Sequence, residues 1–186
     1  MNITLVRHAE VLESYVGKYN GHIDIPLSEH GKAQAKELAK KFKHENFDAI
    51  YCSDLLRARQ TLEPFITNTE VIFTSELREK SWGVHEGKSF GEIEASGIIY
   101  ENFEQWINSL DGESIYLYSQ RVKEYFSSTI LQSQRENILV ITHAGFIKVL
   151  LSHIKNISFE DTFTTKLPYA SSILLQKDTL FAIIKE

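Results

Sequence analysis

The chain has one cysteine, three prolines and nine glycines in 186 residues, and each scarcity excludes something. A lone thiol, Cys52, can form no intrachain disulfide and lacks the paired spacing of a zinc site, which fits a reducing compartment. So little Gly and Pro, set against 11 Phe and 8 Tyr, excludes a collagen-like or disordered chain. The seven histidines include no HExxH motif and no closely spaced ligand pair, so no metal site is expected, and nothing else in the sequence calls for a cofactor. No apolar run approaches the roughly 20 residues of a membrane span. The first one, Ile3 to Val6, has no basic leader and stops at Arg7-His8, so the expectation is a cytoplasmic protein without membrane association. An excess of positive charge is also missing. Lys and Arg number 20 against 25 Asp and Glu, a net charge of -5 that argues against a nucleic-acid partner but permits a small basic pocket.

What is present is the length and apolar content of one domain. With 42% hydrophobic residues, a chain of this size can bury about 70% of its unfolded surface. Ile3-Thr4-Leu5-Val6 has the pattern of a buried strand, and Ser28 can cap a helix in which Ala35, Leu38, Ala39 and Phe42 share one face. Ala49 to Cys52 predicts a second strand. Ser53 or Asp54 can cap a helix from about Leu55, which Pro64 ends or bends. Val71 to Phe73 predicts a third strand. Ser89 can cap a short helix, and Phe103, Trp106 and Ile107 mark another amphipathic piece. Helical spacing of Ile115, Tyr118, Val122, Tyr125 and Phe126 precedes the β-branched strand Ile138 to Ile141, and Gly145 opens a further helix. Ser172 to Leu175 and Leu180 to Ile184 predict a terminal hairpin.

Strands that alternate with helices imply an α/β fold: a three-layer sandwich with a mostly parallel central sheet and helices on both faces. Residues 1–186 form a single domain on this reading, with a small cap insertion at about 85–133. Such sheets gather ligand groups at the carboxyl ends of their strands. Two predicted strands end in histidine, so Arg7-His8 and His143 are expected to meet in one crevice.

Four ordered motifs add a family to this pattern. They are Leu5-Val6-Arg7-His8-Ala9-Glu10, Ser53-Asp54-Leu55-Leu56-Arg57-Ala58-Arg59-Gln60-Thr61, Leu77-Arg78-Glu79 followed by Gly83 and Glu86-Gly87, and Ile141-Thr142-His143-Ala144-Gly145. Together they resemble the histidine phosphatase, or phosphoglycerate mutase-like, superfamily. Gly112-Glu113-Ser114 and Ser119-Gln120-Arg121-Val122 resemble its α-ribazole phosphatase branch. The resemblance implies a metal-independent phosphomonoesterase that acts through a phosphohistidine on a small-molecule phosphate ester such as α-ribazole 5'-phosphate. A phosphoglycerate mutase and a noncatalytic phospholigand-binding module are the alternatives.

The residue types suit that chemistry. Arg7 and Arg57 can present planar guanidinium forks to phosphate oxygens, and a neutral His8 can attack phosphorus. His143 would donate to a phosphoryl oxygen, and Glu79 would protonate the leaving alkoxide and then activate water. Glu76 and Glu86 lie close enough in sequence to compete for the acid role, and Arg57 could instead pair with Glu63 on a solvated helix. Arg121 fits an ion pair better than catalysis. Three positions depart from the family pattern: Ala9 replaces a glycine, Ser14 stands at a phosphate-contacting asparagine, and His85 stands at a tryptophan. Ser14 can still donate one hydrogen bond to substrate. Trp82, Tyr100, Phe103 and Trp106 could stack on a heteroaromatic leaving group, although aromatic residues at amphipathic spacing ordinarily bury in a core.

Overall fold

The computed structural model describes residues 1–176. Strands β1 (Asn2–Arg7), β2 (Ala49–Ser53), β3 (Val71–Thr74), β4 (Asn137–Thr142) and β5 (Ser172–Gln176) form one sheet in the order β3-β2-β4-β1-β5. All neighbours are parallel except β5, which runs antiparallel to β1. The second arm of the expected terminal hairpin, Leu180 to Ile184, lies outside the described residues.

Alternation along the strands builds two cores. Ile3, Leu5, Ile138 and Val140 face Tyr118 and Val122 of α5 (Ile115–Tyr125) and Phe146 and Leu150 of α6 (Ala144–Lys155). On the other face Val6, Leu139 and Ile141 pack on Leu38 of α1 (Glu29–Lys41) and on Ala58 and Leu62 of α2 (Leu56–Leu62). The three-layer sandwich is therefore present, and it closes because a strand buried on both faces must be apolar at consecutive positions.

Local capping explains most helix starts. Ser28 accepts from Gly31 N at the head of α1, and Ser89 forms a reciprocal capping box with Glu92 on α3 (Phe90–Glu94). At α2 the expected caps do other work. Asp54 makes two hydrogen bonds with Arg78, at 2.7 and 2.6 Å, and Ser53 faces His143, while Asp24 from a distant loop accepts from Leu56 N at 2.6 Å. A charge-assisted pair outcompetes a local cap for the same carboxylate.

The segment expected as a cap at 85–133 divides in two. Ile93, α4 (Phe103–Ser109) and Leu110 join Trp82 in a separate apolar cluster, to which Tyr19, Tyr100 and Phe103 also belong. From Tyr118 onward α5 belongs to the main core, and it runs into a π-helical turn, Phe126–Ile130.

Candidate active site

The register of β1 against β4 decides the site. Arg7 pairs with Thr142, and His8 N donates to Thr142 O at 2.9 Å, so the residues that follow each strand emerge side by side. The rings of His8 and His143 lie 5.1 Å apart, centre to centre, and both are buried. Because β2 flanks β4, Ser53 at its end reaches His143 Nε2 at 2.8 Å.

Hydrogen bonds fix the tautomers. His8 Nδ1 lies 2.7 Å from the carbonyl of Ala9, which can only accept, so the ring proton sits on Nδ1 and Nε2 keeps its lone pair. Arg57 Nε donates to His143 Nδ1 at 3.2 Å, so the proton of a neutral His143 sits on Nε2 and points to Ser53 Oγ. Burial first, and then the guanidinium charges of Arg57 and Arg7, hold His8 well below the usual imidazole range. Burial and Arg57 act on His143 in the same direction. Both rings are neutral at neutral pH.

Arg57 is fully buried, and burial brings it down to about 10, so it remains a cation. Besides His143 it donates to the carbonyls of Ile23 at 2.8 Å, Asn20 at 3.2 Å and Gly21 at 2.6 Å. The loop that supplies these carbonyls is itself tied to Glu86, whose carboxylate accepts from Gly21 N, His22 N, Ile23 N and Trp82 N. Glu86 is thus a loop organiser, distinct from the cavity carboxylate Glu79.

A cavity of about 400 Å³ opens beside the histidines, and Arg7, His8 and Glu79 line it. Arg7 lies over the Tyr169 ring at 3.8 Å and donates through Nη1 to Leu167 O, while its buried Nε has no partner among the described residues. A buried donor without an acceptor is costly, and an anion beside Arg7 would satisfy it. Glu79 accepts from Tyr118 OH at 2.7 Å and Lys80 N at 3.0 Å on Oε1, and from Gly145 N at 2.8 Å on Oε2. These three donors fix the carboxylate in place. Arg121, in an ion pair with Glu113, also donates to the carbonyls of Glu76 and Arg78 and so anchors the loop that carries Glu79.

The cavity gathers some of the expected residues and passes over others. Arg57 and His143 are not in its lining but directly behind it, because their polar atoms are committed to the protein. The expected fork from Arg57 and proton from His143 into the cavity are therefore not the arrangement present. Ser14 is exposed on a short turn, Glu13–Tyr15, outside the lining, and Gly17 to Asn20 of the same loop take its place. His85 is buried and does not reach the cavity. Sequence reasoning missed Tyr118, Lys148 and Tyr169, which sit at ordinary helix or loop positions with no motif to mark them. Of the four aromatic residues singled out, Trp82, Phe103 and Trp106 line the cavity, whereas Tyr100 packs on Trp106 at 4.7 Å from outside.

Residues 3–179 match the model of the histidine phosphatase superfamily (branch 1). The chain belongs to that superfamily. Among its curated relatives, the adenosylcobalamin/alpha-ribazole phosphatase of Salmonella typhimurium is 29% identical over 162 residues, which cover 83% of this chain and 79% of the relative. Phosphoserine phosphatase 1 of Hydrogenobacter thermophilus is 32% identical over 151 residues, covering 77% and 71%. The crystal structure of the alpha-ribazole phosphatase from Shigella flexneri superposes with a TM-score of 0.82 at 25% identity, covering 95% of this chain and 90% of that one. The family resemblance of the four motifs is borne out, and the chain is a histidine-type phosphatase. Among the described residues of this histidine phosphatase no helix is long and apolar enough to cross a membrane, and no group of three or more His, Cys, Asp or Glu side chains could hold a metal ion.

Proposed function

We propose that the protein hydrolyses small phosphate monoesters through a phosphohistidine on His8, and that its ester carries an aromatic base, as α-ribazole 5'-phosphate does. His8 Nε2 attacks phosphorus as the ester oxygen departs, and Glu79 supplies that oxygen's proton. In the second half Glu79 takes a proton from water as the water attacks phosphohistidine, which releases inorganic phosphate and restores His8. Arg7 meets the phosphoryl oxygens through Nε and its remaining Nη protons. Arg57 acts from behind, as a buried charge that favours the phosphoryl anion and keeps His8 unprotonated. His143, held by Arg57 and Ser53, packs against the His8 ring and fixes its direction of attack.

One observation carries the substrate class: the cavity that holds His8, Arg7 and Glu79 is completed by Tyr19, Trp82, Phe90, Phe103 and Trp106. Trp106 Nε1 donates to Tyr19 OH at 2.8 Å, and Tyr19 meets Trp82 edge-on at 4.9 Å, so the wall is internally braced. Such a surface gives a planar heteroaromatic group flat faces to stack on, most of which the small side chain of phosphoserine would leave uncovered. The 29% identical alpha-ribazole phosphatase supports the same ester, its match covering 83% of this chain against 77% for the 32% identical phosphoserine phosphatase. Phosphate release is measured for α-ribazole 5'-phosphate, phosphoserine and 3-phosphoglycerate, the last with a trace of 2,3-bisphosphoglycerate. α-Ribazole phosphate is expected to have the highest kcat/KM. Preference for phosphoserine would overturn the ester, and isomer exchange without phosphate release would overturn the hydrolase.

A further inference from the structure

Lys80 and Arg57 are the cations among the largest fully buried side chains, and Lys80 is 1% exposed. Arg57 satisfies its donors on carbonyls and an imidazole, but among the described residues Lys80 Nζ, with three protons, donates only to Ser81 O at 3.1 Å. Its other partner is an aromatic face: Nζ lies 4.2 Å from the centre of the Trp82 ring. The carboxylates that act on it are Glu79 and Glu86 of its own loop and Asp111 and Glu113 of the turn between α4 and α5. Among the described residues none of them forms a direct ion pair with it. Trp82 is the pivot of the cavity wall, since its ring lines the cavity and meets Tyr19 at 4.9 Å. The backbone of Lys80 meanwhile holds the acid, because Lys80 N donates to Glu79 Oε1. Gly21 presses on the same unit: a Cβ there would lie 2.1 Å from Lys80 O and 2.8 Å from Trp82 Cδ1.

We propose that Lys80 is a positioning residue for substrate specificity, whose ammonium charge pins the Trp82 indole in the cavity wall and whose loss of a proton releases it. The proposal rests on the reading of that wall as the leaving-group subsite. Desolvation opposes the charged form and brings Lys80 down to about 8, the four carboxylates offsetting part of the effect. The indole is therefore pinned at neutral pH and loosened at pH 9. A neutral amine keeps its hydrogen bond but loses the attraction to the ring quadrupole, and the affinity that depended on a fixed indole falls by about five- to tenfold.

Two readouts test this on the full-length protein. Tryptophan fluorescence is titrated from pH 6.5 to 9.5 without substrate, and KM is measured at pH 7 and 9 for 1-naphthyl phosphate, with glycerol 2-phosphate as the non-aromatic reference. Wild type is expected to show a fluorescence transition near pH 8 and a rise in the naphthyl KM alone. Lys80→Met should lack the transition and show the raised naphthyl KM at both pH values. Lys80→Arg, which keeps its charge throughout, should lack the transition and keep the low KM at pH 9, and it serves equally if the methionine variant does not fold. A pH-independent fluorescence in wild type, or naphthyl and glycerol KM values that move together, overturns the proposal. Failure of α-ribazole phosphate as substrate, with the fluorescence and naphthyl effects intact, refutes only the chosen ester.

Discussion

The Gly145→Ala substitution isolates the placement of Glu79 from the fold around it. Gly145 lies in the first turn of α6, and a Cβ built there would sit 2.0 Å from Glu79 Oε1 and 2.8 Å from its Cδ. Ordinary contact begins at 3.4 Å, so the carboxylate must retreat by about 1.4 Å and surrender its hydrogen bond from Gly145 N. A displacement of that size at a reacting group costs about 100-fold in rate. The helix itself should tolerate the change, because alanine exceeds glycine in helix propensity by up to about 1 kcal/mol. The assay compares kcat/KM for glycerol 2-phosphate, whose alkoxide needs a proton, with p-nitrophenyl phosphate, whose leaving group does not. The first should fall about 100-fold and the second far less, with an unchanged or slightly higher Tm. Glycerol phosphate turnover within about threefold of wild type would refute both the acid role and its dependence on this contact.

Tyr118→Phe removes one of Glu79's three donors, and it should cost about 1 kcal/mol in urea unfolding and slow glycerol phosphate more than p-nitrophenyl phosphate. Glu86→Ala strips the acceptor from four backbone N–H groups, and the loop organised around it should lose at least about 3 kcal/mol by the same measurement. The two buried imidazoles set an acid limit on stability. Their folded pKa values lie below 6.5, so the unfolded chain binds more protons as pH falls through that value. Each then removes up to about 1.4 kcal/mol per pH unit, a loss absent above about pH 7.5 and growing as pH falls below about 6.5. Urea denaturation from pH 7.5 to 5 checks this, and His143→Asn should flatten the slope.

The sequence displayed the sheet's central strands well, because doubly buried strands are continuous apolar runs, and Val6 and Ile141 lead directly into the two histidines. That His8 and His143 meet in one crevice followed from the rule that such sheets gather ligand groups at strand ends, whereas the register of β1 against β4 that sets them side by side is known from the structure. Arg57 was legible as a site residue, but its partners were not. Three of its hydrogen-bond acceptors are backbone carbonyls of a distant loop, and no side-chain pattern encodes those. Ser14 misled for the complementary reason, since motif position fixes order along a loop but not which of its residues turn inward. Tyr118 carried the spacing of a core helix residue and is one; only its hydroxyl, aimed at Glu79, gives it a second task. The boundaries of the 85–133 segment blurred because α5 is amphipathic toward the main core, and amphipathicity does not say which core.

The role of His8 Nε2 as phosphoryl carrier depends most directly on the geometry of the site. Rapid acid-free quench of the enzyme turning over a radiolabelled ester, followed by mapping of the labelled peptide, measures it directly. The label is expected on His8 as a base-stable, acid-labile phosphoramidate, absent from His8→Ala together with about 10⁴-fold of the turnover. Label on another residue, or a His8→Ala enzyme that keeps more than about a tenth of the wild-type rate, would contradict it.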